Sequence, residues 1–256
     1  MLKGPPLDKI CLDLKGVDRS GYPFSLPILE NTEEIFFPSQ VTFFVGENGT
    51  GKSTILEAIA VIAGFGPEGG SRNIHFSSSE ERFHDDARKL AARMRPSWRK
   101  KPADGNGYFF RAESFFSLAN HIDTIAREGG QGPGAAYAPY GGKSLHEQSH
   151  GESFLSFFIN RIRSGGFFVF DEPEAALSPQ RQLSLLTIIH DLCEDPDSQF
   201  VIATHSPILL AYPGATIYSC DSGSLRQVGY KETSHYEITR EFLDNPERYF
   251  AQLFKK

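Results

Sequence analysis

The sequence predicts an α/β fold built on a mainly parallel sheet, and three observations carry that expectation. Short apolar runs of β character, VTFFV (41–45), FFVFD (167–171) and QFVIA (199–203), recur along the chain. Stretches whose apolar residues fall at helical spacing separate them, the alternation that builds parallel sheets. One junction, GENGTGKST (46–54), is a glycine loop between a strand and a helix, which turns backbone N–H groups onto an anion at a helix N-terminus.

Each element follows from its residues. KICLDL (9–14) alternates, and LPIL (26–29) and EIFF (34–37) are short and apolar with prolines nearby, so all three read as strands ahead of VTFFV. KSTILEAIAVIAGFG (52–66) places Ile55, Leu56, Ile59 and Ile62 at helical spacing and stops at Gly64 and Gly66. From 66 to 150 glycine, serine, proline and charge dominate. That texture predicts an insertion holding a helix over 80–95, a strand GYFFRA (107–112), a helix near 113–127 and a loop over 129–144. SFLSFFINRIRSGG (153–166) reads as a helix closed by glycines, and FFVFDEP (167–173) as a buried strand. SPQRQLSLLTIIHDLCE (178–194) is a helix with Ser178 as N-cap and Pro179 at its first position, and strands resume over 199–228.

Composition narrows the function. At 256 residues, 39% hydrophobic and 23% charged, the chain can bury one core with an elaboration, and its net charge of −6 gives no global pull toward nucleic acid. The apolar runs fall short of the about 20 residues a membrane helix needs, and MLKGPPLDKI lacks the continuous apolar stretch of a secretory signal. A cytoplasmic protein without membrane insertion is expected. Cys11, Cys193 and Cys220 are scattered and odd in number, which fits neither a disulfide framework nor a zinc cluster.

Three motifs carry chemistry. Gly46, Glu47, Asn48, Gly49, Thr50, Gly51, Lys52 and Ser53, with Thr54 after them, match the phosphate-binding loop in full. The glycines let loop amides face phosphates, Lys52 adds charge at the β- and γ-phosphates, and the Ser53 hydroxyl can ligate Mg²⁺. A chance glycine turn would lack the strand before and the helix after. Asp171 and Glu172 end a buried strand, where one carboxylate can organise Mg²⁺ and its neighbour can polarise an attacking water. Taken alone they could equally be a solvated turn before Pro173. QSHGES (148–153) leads into a helix, so Ser149, the Gly151 amide and the helix N-terminus offer a second anion site, and one loop has no need of two.

In that order the motifs resemble those of the ATP-binding-cassette ATPases, whose signature, of the type Leu-Ser-Gly-Gly-Gln, precedes a helix. Gln148, Ser149, His150, Gly151 and Glu152 occupy its five positions, with His150 in place of the first glycine and Glu152 in place of the glutamine. EAALSPQ (174–180) resembles the family's D-loop, and ATHSP (203–207) its switch-histidine segment. GENGTGKST, SHGES and THSPILLA are more similar to the AAA-family ATPases related to RecF, to chromosome-maintenance proteins and to the overcoming-lysogenization-defect group than to transporter subunits, where Asp commonly follows the histidine. The sequence lacks room for coiled-coil arms between loop and signature, and the residues after Pro207 are too few for a Toprim nuclease domain.

The resemblance implies a P-loop NTPase fold of the cassette type over 1–256, with antiparallel N-terminal strands and an inserted helical lobe, 66–150, ending in the signature. It implies ATP and Mg²⁺ as cofactors, Glu172 and His205 as catalytic residues, and Ser53 and Asp171 at the metal, the latter directly or through water. It also implies a homodimer around two nucleotides, with Ser149, Gly151 and Glu152 contacting the nucleotide held by the partner. Glu113, in FFRAESF (109–115), either takes the place of the Q-loop glutamine toward Mg²⁺ or is a salt-bridged surface acid. RKLAARMRPSWRKK (88–101) carries seven basic residues and no acid, so Arg88–Lys101 is either a solvated helix face or a DNA contact. Tyr22 and Phe24 are candidates for an adenine platform, with core packing the alternative for Phe24. Three outputs compete: an ATPase acting on or near DNA, a switch controlling a separate effector protein, and a transporter's nucleotide-binding subunit.

Overall fold

The computed structural model describes residues 4–71, 81–101, 106–112, 115–128, 134, 137–138, 142–144 and 150–255. In chain order its elements are β1 (Leu7–Leu12), α1 (Pro27–Glu30), β2 (Glu34–Phe36), β3 (Val41–Val45), α2 (Lys52–Ile62), α3 (Glu81–Ala91), β4 (Met94–Trp98), β5 (Gly107–Arg111), α4 (Phe115–Glu128) and α5 (His150–Arg161). There follow β6 (Phe167–Asp171), a 3₁₀ turn (Pro173–Ala176), α6 (Pro179–Leu192), β7 (Gln199–Ala203), α7 (Pro207–Leu210), β8 (Thr216–Ser219), β9 (Arg226–Gln227), a 3₁₀ turn (Tyr230–Glu232), α8 (Ser234–Asp244) and α9 (Pro246–Leu253).

Among the described residues the strands form two sheets, an antiparallel one in the order β2-β1-β4 and a six-stranded one in the order β5-β6-β7-β3-β8-β9. Every pairing in the second is parallel except β8 with β9. The fold is therefore the α/β P-loop NTPase architecture with a mostly parallel sheet and antiparallel N-terminal strands.

Why the parallel strands read as unbroken apolar runs is visible in their packing. Alternate residues of each strand go to opposite faces, and both faces are covered. Phe44, Phe109, Phe167, Val169, Val201 and Ala203 join α2 and the antiparallel sheet in one core. Phe43, Phe110, Phe168, Phe170, Phe200 and Ile202 join α5, α6 and α7 in the other. Buried Gln199 ties the two sheets together: its Oε1 accepts the Leu7 N–H at 2.6 Å and its amide donates to the Leu7 carbonyl at 3.0 Å.

Two expected elements differ. LPIL is not a strand but part of α1, because Pro27 at the first helical position presets the helical φ. The helix expected over 80–95 ends at Ala91, and Met94–Trp98 form a strand. Pro96 lacks the N–H a helix interior needs and biases Arg95 toward extended backbone. The proline is tolerated because β4 lies at the edge of its sheet. Within 66–150, then, β4 enters the antiparallel sheet and β5 the edge of the parallel one. Most of the loop over 129–144 lies outside the described residues. The sequence reading stopped short of α8 and α9, which bury no residue of their own.

Phe110 sits among Phe154, Phe158 and Phe170, at ring-centroid distances of 4.9, 5.1 and 6.0 Å. Phe110→Ala is expected to cost about 3–5 kcal/mol, the range for emptying a buried aromatic site, read as a lower urea midpoint at unchanged slope.

Candidate functional site

The glycine loop leaves β3 at Val45 and enters α2 at Lys52 with Gly51 in the N-cap position. Gly49 and Gly51 adopt φ of 81° and 96°, left-handed conformations that open the loop, and a Cβ on Gly51 would meet Leu26 at 3.1 Å. Asp221, just beyond β8, anchors the loop by accepting the Glu47 N–H at 2.7 Å, and the Thr50 hydroxyl donates to the Glu47 carbonyl at 2.9 Å. Lys52 is buried with its ammonium donating to the Gly46 and Glu47 carbonyls at 2.6 and 2.9 Å. Burial pulls the Lys52 pKa below its ordinary value, opposed by the nearby carboxylates of Glu172, Asp171 and Asp221.

The acids arrive from the neighbouring strands. Asp171 is buried at the end of β6, and its Oδ1 accepts the Ser53 hydroxyl at 3.1 Å. Behind it Arg111, from the end of β5, pairs with Glu57 of α2 at 2.9 Å and lies 3.8 Å from Asp171 Oδ2. Serine hydroxyl and carboxylate are hard oxygen donors of the kind Mg²⁺ takes alongside phosphate oxygens and water. Among the described residues no group of three or more His, Cys, Asp or Glu is placed to hold a metal by itself. The donor set fits a nucleotide-borne Mg²⁺.

Glu172 points elsewhere. Its φ of 50° makes it the one non-glycine residue with positive φ among those described, and its N–H is held by the Ala203 carbonyl at 3.0 Å. Its Oε1 lies 3.4 Å from His205 Nε2. That nitrogen is buried and makes no hydrogen bond among the described residues. His205 follows β7; its backbone N–H donates to Glu174 Oε1 at 2.6 Å, and its Nδ1 lies 2.9 Å from Nε2 of His235 on α8. Ser206 caps α7, its hydroxyl accepting from the Ile208 and Leu209 amides at 3.2 Å while donating to Gln182 Oε1 at 2.5 Å. Two buried polar atoms here have no hydrogen-bond partner among the described residues, Glu174 Oε2 and His205 Nε2; the second is aimed at a carboxylate, and an anion's oxygen would complete it.

The structure brings together the loop residues Gly46–Thr54, Asp171, Glu172 and His205. Ser149 and Glu113 lie outside the described residues, as does Gln148. Gly151 and Glu152 stand in the first turn of α5, where Glu152 lies 3.4 Å from Arg181 of α6. The Tyr22 hydroxyl bonds Thr54 Oγ1 with the residue half exposed, whereas Phe24 packs against the core. The basic run is not one helix face: it passes from the end of α3 through the turn at Arg93 and β4 to the segment after Trp98. Lys89 pairs with Asp85 and Asp86, Arg99 with Asp8 and Lys100 with Asp197, leaving Arg88, Arg93, Arg95 and Lys101 exposed outside these pairs. Arg111, Asp221 and His235 were missed by sequence reading. Arg111 had a signal, a charge at the end of a β run; Asp221 and His235 had none, since only the fold places them.

Burial raises the Glu174 pKa, against the lowering effect of the His205 N–H. Between the ordinary value of 4.5 and that raised value the folded state binds more protons than the unfolded one, so this contribution to stability falls as pH rises. Glu174→Gln keeps an oxygen for the His205 N–H and removes the charge. The variant is expected to be at least as stable as wild type at pH 7, with the difference shrinking on acidification, checked by urea unfolding across pH.

Residues 24–132 match the family model described as "AAA domain", and residues 147–211 the model described as "AAA domain, putative AbiEii toxin, Type IV TA system". No curated protein matches the chain. Among solved structures, the chain is similar to the SMC head domain from Thermotoga maritima (19% identity, 87% of this chain and 98% of that one, TM-score 0.43). It is also similar to an SMC head bound to the C-winged helix domain of ScpA (16%, 88% and 97%, 0.47) and to an ATP-binding cassette of an ABC transporter in its ADP conformation (16%, 87% and 91%, 0.43). The two matched segments hold the glycine loop on one side and the paired acids with His205 on the other, and each is similar to an AAA domain.

Proposed function

We propose that the chain binds and hydrolyses Mg·ATP and uses it to join two copies face to face. The observation that carries this reading is the meeting, at one sheet edge, of Lys52, the Ser53–Asp171 bond of 3.1 Å and the Glu172–His205 approach of 3.4 Å. The loop amides and Lys52 bind the β- and γ-phosphates, and Tyr22 stands by Thr54 as the ring for adenine. Ser53 and Asp171 hold Mg²⁺, which when bound neutralises charge developing on the phosphates. Glu172 accepts a proton from the attacking water, and His205 directs Nε2 toward the γ-phosphate. In the joined state Ser149, Gly151 and Glu152 of one copy face the nucleotide of the other, and Glu113 approaches the metal from the Q-loop position. The chain acts as one ATPase domain over 1–256, with 66–150 as its inserted lobe, in the cytoplasm. No helix among the described residues is long and apolar enough to cross a membrane.

The output we favour is DNA-related, in maintenance, repair or defence, with Arg88, Arg93 and Arg95 as the phosphate contacts. Control of a separate effector protein is the second reading, and the internal pairing of Lys89, Arg99 and Lys100 favours it by removing charge from the run.

Lys52→Ala is expected to lower ATP turnover by at least about 100-fold, the scale of losing one charge-stabilising donor. Undiminished turnover would remove Lys52 from the site. Glu172→Gln is expected to retain ATP binding, lose about 10²–10⁴-fold in kcat, and accumulate as an ATP-locked dimer by light scattering. A variant that stays monomeric with ATP while wild type dimerises counts against the sandwich. Turnover that rises with duplex DNA and loses that response in Arg93→Ala/Arg95→Ala supports the DNA output; indifference to DNA favours the effector.

A further inference from the structure

His235 belongs to none of the motifs, yet it closes on the histidine that faces the acids. It is the second residue of α8, whose start is fixed by buried Thr233: Oγ1 accepts the Tyr236 N–H at 3.3 Å and donates to the Tyr230 carbonyl at 2.8 Å. The His235 and His205 rings lie 5.0 Å apart, with Nε2 of the first 2.9 Å from Nδ1 of the second. Nitrogens at that distance share one proton, so one ring donates and the other accepts.

The surroundings choose the direction. Glu172 Oε1 faces His205 Nε2 at 3.4 Å, so a lone pair there would be repelled by the carboxylate and an N–H attracted. His205 Nδ1 is then the acceptor and His235 Nε2–H the donor. His235 Nδ1 in turn lies 3.4 Å from the Ser234 hydroxyl, which also has Asp221 Oδ2 as an acceptor at 3.5 Å. The other charged groups around the pair are Glu174 beneath His205, Asp221 beyond Ser234 at 3.5 Å, and Glu47 and Lys52 of the loop. Partial burial, and next His205, lower the His235 pKa, which favours the neutral ring.

We propose that His235 is a positioning residue that donates its Nε2–H to His205 Nδ1 and thereby holds His205 in the Nε2–H form, with its free donor aimed at Glu172 and the anion above the loop. The geometry stands without nucleotide; its consequence for turnover rests on the ATPase reading above.

The test uses nucleotide-free, ¹⁵N-labelled protein and two-bond ¹⁵N–¹H correlations of the imidazoles. Wild type is expected to show His205 protonated at Nε2 and bare at Nδ1. His235→Phe is expected to move His205 toward a mixture of tautomers and to lower kcat for ATP about 10-fold, with KM changed by less than about 2-fold, as for loss of an orienting partner. His235→Gln, whose amide N–H can donate, is expected to keep the wild-type tautomer and most of the turnover. His205 protonated at Nδ1 in wild type overturns the proposal, as does a His235→Phe protein with unchanged tautomer and kcat. Should His235→Phe not fold, the wild-type spectrum and His235→Gln decide. A wild type without ATP turnover would sink the ATPase reading alone, because the spectrum is taken without nucleotide.

Discussion

Parallel pairing in one register is the constraint on which the rest of this molecule depends. Asp171 and Phe44 both pair with Ala203, and Phe44 also pairs with Tyr218, so β6, β7, β3 and β8 end at one level. From these four strands the chain leaves that level into Gly46, Glu172, Thr204 and Cys220, and β5 ends beside them with Arg111 opposite Asp171. Slipping any strand by one residue would send its phenylalanines to the wrong face. The two aromatic cores therefore fix the site indirectly: they hold the register, and the register holds the site.

Adjacent carboxylates would ordinarily compete for one position. Here they are turned apart by the backbone between them. Asp171 is the last residue of β6 and points to Ser53, while Glu172 adopts a left-handed φ and points to His205. Such a conformation is unfavourable for a residue with a side chain, and it persists because neighbours over-determine it. The Ala203 carbonyl holds the Glu172 N–H on one side, and Pro173 opens a 3₁₀ turn on the other.

Much of this was legible before the fold was known, for a physical reason that differs by element. VTFFV, FFVFD and QFVIA announce themselves because strands buried on both faces cannot alternate. The loop announces itself because only glycine serves at its left-handed positions. LPIL misled because four apolar residues carry no period, and the deciding fact was Pro27. The end of α3 was misjudged because basic residues suit helix and edge strand alike; Pro96 decided it. Beyond Tyr230 the polar, weakly patterned sequence disguised α8 and α9, whose residues are not buried. His235 was consequently invisible: a histidine's role depends on which nitrogen meets which partner, and spacing says nothing of that.

Asp221 holds the Glu47 amide across a separation of 174 residues, and Asp171 meets Ser53 across 118. Closing such distances costs chain entropy that only the assembled sheet offsets. The groups that anchor the glycine loop are thus supplied from far downstream in the chain. During vectorial synthesis the growing polypeptide exposes the complete phosphate-binding sequence well before it owns the phosphate-binding shape, and the anchoring carboxylate comes only with β8. Possession of the motif and possession of the site are, for this chain, separated in time.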